Sequence, residues 1–322
     1  MDFPQKLDPE LAAVLQAMPA EGMFNWDDLP ATREVISRML VQMMADVPDL
    51  ENVLKEDHKV PGPTGDPEVL VRIYRPAEST GTLPGLLWIP GGGYVMGSIE
   101  QEDYAVQHVV KEVGCVVVSV EYRRAPEHPF PAPVEDCYAA LKWVADNATD
   151  LSVDPSRLAV GGASAGGGLA AGLALLARDR GEVHLIFQLL VSPMIDDRNV
   201  TLSSREITDP RVWNREANLF GWRSYVGESM GSEGVSPYAA VARAADLAGL
   251  PPAYIPVGTQ DLFVDEDMAY AQRLMQAGVL TELHVYPGAF HGSEGYAPAA
   301  ALSKRFIATR NEVLRTALRP RF

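Results

Sequence analysis

Residues 115–123 (CVVVSVEYR) form a continuous β-branched run, and a strand is apolar on both of its faces only where both faces are covered. The segments around it repeat the requirement. EVLVRIYRP (68–76) alternates as a strand does, and LPGLLWIPGGG (83–93) is a strand running into glycines. A helix at PVEDCYAALKWVADNA (133–148), a strand at RLAVGGA (157–163), a helix at AGGGLAAGLALLARDRG (165–181) and a strand at HLIFQLLVSP (184–193) follow. Residues 196–237 break this rhythm with interleaved aromatic and polar residues and read as a helical insertion. The alternation then resumes with AYIPVGTQD (253–261), VDEDMAYAQRLMQAG (264–278), TELHVYPG (281–288) and a terminal helix over about 298–318. Strand and helix in turn predict an α/β fold with a mainly parallel central sheet and helices on both faces. Ahead of it, DPELAAVLQAM (8–18) and PATREVISRMLVQMMADV (30–47) carry helix start signals and apolar residues at helical spacing.

A chain of 322 residues buries enough surface to fold without disulfides or a structural metal. Its 27 basic and 43 acidic residues leave a net charge of −16, which repels phosphate backbones, so nucleic acid is not an expected partner. Cys115 and Cys137 stand in no CxxC pair and read as small buried hydrophobes. The opening MDFPQKLDPE has no cationic stretch followed by an apolar one, and no apolar run reaches membrane-spanning length. A cytoplasmic protein without membrane association is the expectation.

The sharpest chemical signal is Gly162-Ala163-Ser164-Ala165-Gly166, set between a strand and a helix. A tight turn there lifts the serine hydroxyl above the sheet edge, and glycines two positions either side are required because a Cβ would clash. Serine is a poor nucleophile at neutral pH and needs a base that is itself oriented by an acid. Among six histidines, His291 lies in the glycine-flanked loop GAFHGSEGY just after a strand, where the chain order serine, acid, histidine places the base. His284 and His184 lie in strands, and His128 in a proline-rich loop; all three read as structural. Asp261 directly follows a strand, at the edge where ligands gather in open α/β sheets. Asp265, Glu266 and Asp267 open the next helix, where negative charge is stabilising without any catalytic role. Gly92 and Gly93, after the strand LLWI, and Ala165 offer backbone N–H groups to a developing oxyanion.

With these motifs together, the chain resembles the hormone-sensitive-lipase-like (bacterial family IV) carboxylesterases of the α/β-hydrolase superfamily. The resemblance runs from about residue 66 to the C-terminus through YRRAPEHPFPAPVEDCYAAL, DPSRLAVGG, GASAGGG, GTQDLFVDED and FHG. It implies a triad of Ser164, Asp261 and His291, an oxyanion hole of Gly92, Gly93 and Ala165, and no cofactor or metal. It also implies a helical cap made from residues 1–50 and an insertion at about 196–235, over a catalytic domain spanning 51–322. The expected activity is hydrolysis of short- to medium-chain carboxylic esters, small molecules, through an acyl-enzyme. Relatives often pair through an edge strand near the C-terminal part, so a homodimer is also implied.

Two positions depart from the family pattern: Pro90 stands where a histidine usually precedes the three glycines, and Ala163 where relatives often carry a polar residue. Proline removes a hydrogen-bonding ring and a backbone N–H at once. Arg123, Glu127 and Asp136 read as ion pairs bracing the fold. Tyr94 is read as a substrate-pocket residue, and Trp213, Phe220, Trp222 and the neighbouring Tyr225 either as a substrate pocket or as packing between cap and core. The same constellation could hydrolyse amides, lactones or acetylated substrates. A non-catalytic small-molecule binder is the alternative from another class, but receptors of this fold lose the histidine that His291 retains here.

Overall fold

The structure, a computed structural model, describes residues 6–22, 24–44, 49–79 and 81–319. Two helices come first, α1 (Pro9–Ala17) and α2 (Leu29–Met44). Asp8 caps α1 by accepting the N–H of Glu10, and Pro9 sits at the first helical position, where a missing N–H is harmless. The last residues of the second expected stretch, 45–47, lie outside the described residues.

Among the described residues eight strands follow: β1 (Val53–Val60), β2 (Val69–Pro76), β3 (Leu83–Ile89), β4 (Val116–Glu121), β5 (Val153–Ala163), β6 (Phe187–Val191), β7 (Ala253–Gln260) and β8 (Thr281–Phe290). They form one sheet in the order β1-β2-β4-β3-β5-β6-β7-β8. β2 is antiparallel to both β1 and β4, and every pairing from β4 across to β8 is parallel. This is the mainly parallel sheet that the alternation predicts, with an antiparallel margin.

The run that opens the argument, now β4, is buried from Val116 to Val120, and β6 is buried throughout, as strands covered on both faces must be. Helices α4 (Ala132–Asp146) and α5 (Ala165–Arg180) pack on each other, while the helical turn 110–114 packs on α10 (Ala301–Ala317). Every residue of α5 from Ala165 to Ala177 is buried, which its alanine and glycine content makes sterically feasible.

Two elements are not evident from the sequence pattern. In β1 only the end residues Val53 and Val60 are buried, so this edge strand presents no alternating apolar face. In α3 (Ile99–Val109) the buried positions are Ile99, Val106, Gln107 and Val109, too thin a stripe to stand out among acidic residues. The insertion is only partly helical, with α6 (Leu202–Glu206) capped by Thr201 and α7 (Arg215–Val226) capped by Asn214. α8 (Val264–Gln276) and the short α9 (Ser293–Tyr296) complete the set.

The bracing residues behave as expected. The Asp136 carboxylate, buried, accepts from the backbone N–H of Arg123 at 2.9 Å and from its guanidinium at 2.7 Å, and Arg123 also reaches Asp66. Glu127 pairs through both oxygens with Arg33 of α2, at 2.7 and 2.8 Å. Arg33 donates further to the carbonyls of Val95 and Ala125, which ties α2 to the loops after β3 and β4. Cys115 and Cys137 are buried and free, and burial pushes the Cys115 thiol up to about 12.

Candidate active site

Ser164 stands at the turn from β5 into α5 with φ +57° and ψ −122°, a conformation that L-residues rarely adopt. The turn is pinned on both sides: the Ser164 N–H donates to the Val191 carbonyl at 2.8 Å, and its carbonyl accepts from Met194 at 2.9 Å. A Cβ on Gly162 would lie 2.4 Å from the Gly166 carbonyl oxygen, and one on Gly166 would lie 2.0 Å from that of Ile89. The glycine spacing is thus the steric requirement anticipated from the sequence.

The loop after β8 carries His291, and the residue after β7 is Asp261. His291 Nε2 lies 2.9 Å from Ser164 Oγ, and Nδ1 lies 2.8 Å from Asp261 Oδ2. The other Asp261 oxygen accepts the Phe263 N–H at 3.0 Å, so the carboxylate is held at both ends. Asp261 is buried, and the ring of Phe263 meets that of His291 edge-on. Burial opposes a charged imidazolium, but the Asp261 carboxylate outweighs it by charge and by hydrogen bond, with Glu294 adding in the same direction; the ring's pKa is raised.

Facing this line is the loop after β3. Gly92 and Gly93 have φ of +121° and +62°, and their N–H groups meet no acceptor among the described residues. Ala165 is the first residue of α5, where helical N–H groups have no partner within the helix. The Gly91 N–H, by contrast, is taken by Glu102 at 2.8 Å, and the Pro90 carbonyl accepts from the Tyr122 hydroxyl at 3.0 Å. Burial raises the Glu102 carboxyl above the ordinary range, opposed by its two N–H donors and by the charge of Arg310.

The aromatic residues divide. Tyr94 and Trp222 have no exposed surface; they pack with Tyr225, and the Tyr94 hydroxyl is spent on the Met194 carbonyl at 2.6 Å. These contacts are those of the packing reading, while Trp213, also buried, lies at the glycine loop itself. Trp213 lies against the glycine loop, where a Cβ on Gly93 would sit 2.0 Å from its ring, and Phe220 is half-buried. Phe24 and Trp26, from the segment between α1 and α2, complete this cluster; Trp26 stacks on Phe220 at 4.7 Å and meets Trp213 edge-on. Sequence reasoning missed both, and the only signal was an aromatic pair inside a polar stretch, FNWDD.

The three acids that open α8 are more than helix-start charges. Asp265 accepts the Ser203 N–H, and Glu266 accepts those of Ile195 and Asp196, so both hold the start of the insertion against α8. Asp267 is fully buried, and burial pushes its carboxyl well up.

Comparison with known proteins follows the same lines. A family model described as the alpha/beta hydrolase fold matches residues 86–294. Carboxylesterase NlhH of Mycobacterium tuberculosis is 35% identical over 301 residues, 92% of each chain. Esterase LipI of the same species is 36% identical over 311 residues, 94% of each chain. Among solved structures, a bacterial heroin esterase superposes with a TM-score of 0.94 at 45% identity, over 98% of this chain and 99% of the other.

Proposed function

The chain belongs to the hormone-sensitive-lipase-like carboxylesterases of the α/β-hydrolase superfamily and is a carboxylic-ester hydrolase, and from that premise we propose that Ser164, His291 and Asp261 are its catalytic triad. The observation that carries this reading is the continuous hydrogen-bonded line from Asp261 through His291 to Ser164. In the proposed reaction His291 Nε2 takes the hydroxyl proton as Ser164 Oγ attacks the ester carbonyl carbon. The carbonyl electron pair moves onto oxygen, and the N–H groups of Gly92, Gly93 and Ala165 receive that charge. Collapse of the tetrahedral adduct expels the alcohol, which leaves with the proton from His291. Water, deprotonated by the same nitrogen, then cleaves the acyl-enzyme and restores the serine. Asp261 fixes the ring with Nδ1–H toward itself and stabilises the imidazolium at each step.

The acyl group is proposed to be short to medium in length. Trp213, set against Gly93, and the rings of Phe24, Trp26 and Phe220 beside it support this by walling one side of the glycine loop. We read the N-terminal helices and the 196–235 insertion, joined through these rings, as a cap. Among the described residues no helix is long and apolar enough to cross a membrane. A cytoplasmic location and a homodimer through the outer edge of β8, the last strand of the sheet, belong to the same proposal, and light scattering of the purified protein tests the dimer.

The test of the main reading is hydrolysis of p-nitrophenyl esters of increasing acyl length, wild type beside Ser164→Ala. Turnover of the short esters by the wild type, lost in the variant, is the expected result. A folded wild type inert toward the whole series, or a variant as active as the wild type, defeats it.

A further inference from the structure

We propose that Glu102, at the start of α3, is the positioning residue of the oxyanion loop, holding the peptide before Gly92 so that the next two N–H groups point where the oxyanion forms. The inference rests on the serine-hydrolase reading above and goes beyond it in naming what orients the hole.

One carboxylate oxygen of Glu102 accepts the Gly91 N–H at 2.8 Å, and the other accepts the indole N–H of Trp88 at 2.5 Å. The Gly91 N–H belongs to the same peptide unit as the Pro90 carbonyl, which accepts from the Tyr122 hydroxyl at 3.0 Å. A peptide plane gripped at both its donor and its acceptor cannot rotate about its own axis. This matters because the following residues, Gly92 and Gly93, have no side chains to hold them, and glycine gives the backbone its widest freedom. Their orientation must be imposed from the ends of the run. The anchored unit is also close to the nucleophile: a Cβ built on Gly91 would lie 3.4 Å from Ser164 Cβ and 3.5 Å from Glu102 Oε1.

The same bond sorts the donors of the loop. Pro90 has no N–H, Gly91 gives its own to Glu102, and Gly92 and Gly93 are left for the substrate. Without Glu102 the Gly91 N–H would compete for the oxyanion from a displaced position. Position 90 carries proline where the family usually has histidine, so the loop has no hydrogen-bonding side chain at its own entrance. Glu102 supplies an anchor from the neighbouring helix. It touches neither substrate nor reacting atoms in this role; it acts through Gly91.

Glu102→Gln tests the idea with little change in volume. Only one oxygen of an amide accepts, and its NH₂ turns a donor toward either Gly91 or Trp88, so one of the two bonds is lost whichever way it is oriented. Glu102→Asp, which withdraws the carboxylate by one methylene, is measured alongside in case the amide variant fails to fold. The readouts, on active-site-titrated enzyme, are kcat and KM for p-nitrophenyl acetate and the inhibition constant of a trifluoromethyl ketone, which forms a tetrahedral alkoxide on the serine. Expected is a fall in kcat of about 10- to 100-fold with KM within about twofold, and a rise in the inhibition constant by the same factor as kcat/KM falls. A loss of general stability would lower the titratable fraction and leave the ketone's affinity unmoved, and that pattern overturns the proposal. So does a folded variant with kcat and ketone affinity both within twofold of wild type. Activity surviving in Ser164→Ala would overturn the underlying reading, and this inference with it. Activity lost there but kept in the Glu102 variants overturns this inference alone.

Discussion

His291 Nε2 lies 2.9 Å from Ser164 Oγ although 127 residues separate the two along the chain. They meet because β5 and β8 run parallel through β6 and β7, so the residues that follow each strand emerge at one edge of the sheet. The separation depends on no local sequence signal, only on the register of four strands. Replacing either residue by alanine removes nucleophile or base, and each is expected to cost at least about 10³-fold in kcat toward p-nitrophenyl acetate. Circular dichroism of the same samples separates that loss from unfolding.

The acid limb of kcat/KM should lie above the ordinary imidazole value of 6.5, because the net effect of burial and Asp261 raises the pKa of His291. The base must be neutral to accept the serine proton, so activity climbs as pH rises through that limb. Asp261→Asn removes the charge while leaving the burial, so the limb should move to lower pH and the plateau should fall by about 10⁴-fold. A pH–rate profile of the two proteins checks both; a limb that stays in place sinks the assignment of Asp261.

Trp213 closes the space beside Gly93, and it is the ring that a side chain at Gly93 would strike. Trp213→Ala should therefore raise kcat/KM for p-nitrophenyl octanoate relative to the acetate by about tenfold, the scale of a few methylenes' worth of apolar contact. An unchanged chain-length profile would remove Trp213 from the acyl wall.

Asp136 is 1% exposed and accepts from three nitrogens of Arg123, so its removal leaves a guanidinium largely inside the protein with Asp66 as its remaining partner. Asp136→Ala should destabilise by about 3 kcal/mol, read from urea unfolding, with kcat per folded molecule near wild type.

Asp267 supplies a stability test with a definite sign. Its carboxyl is held above the unfolded value by burial, so the folded protein keeps a proton that the unfolded chain releases. That contribution is present below the unfolded pKa, about 3.9, and is lost as pH rises toward the folded one. Asp267→Asn cannot titrate. Its Tm should gain on that of the wild type as pH rises above about 4, by thermal melts in matched buffers, and a constant gap would overturn the reading.

What could be read from the sequence was set by local necessity. Glycine at 162 and 166 follows from carbonyl oxygens 2.0 to 2.4 Å from where a Cβ would stand, and a wholly apolar β4 follows from cover on both faces. Such constraints act on residue type at fixed spacing, so the serine turn, the glycine run and the strand-helix alternation are legible, as are Asp261 and His291 just past their strands. The polar edge strand β1 and the thinly striped α3 escape because their stability comes from neighbours, β2 for one and the sheet for the other. The same holds for the rings: Tyr94, Trp213 and Trp222 are all aromatic and buried, and only the tertiary packing decides that Trp213 is the one set against Gly93. Glu102 is the clearest case. Its sequence neighbourhood is that of an ordinary acidic helix start, and it meets Gly91 and Trp88 only because α3 turns back across the end of β3, a matter of chain path that no residue pattern encodes.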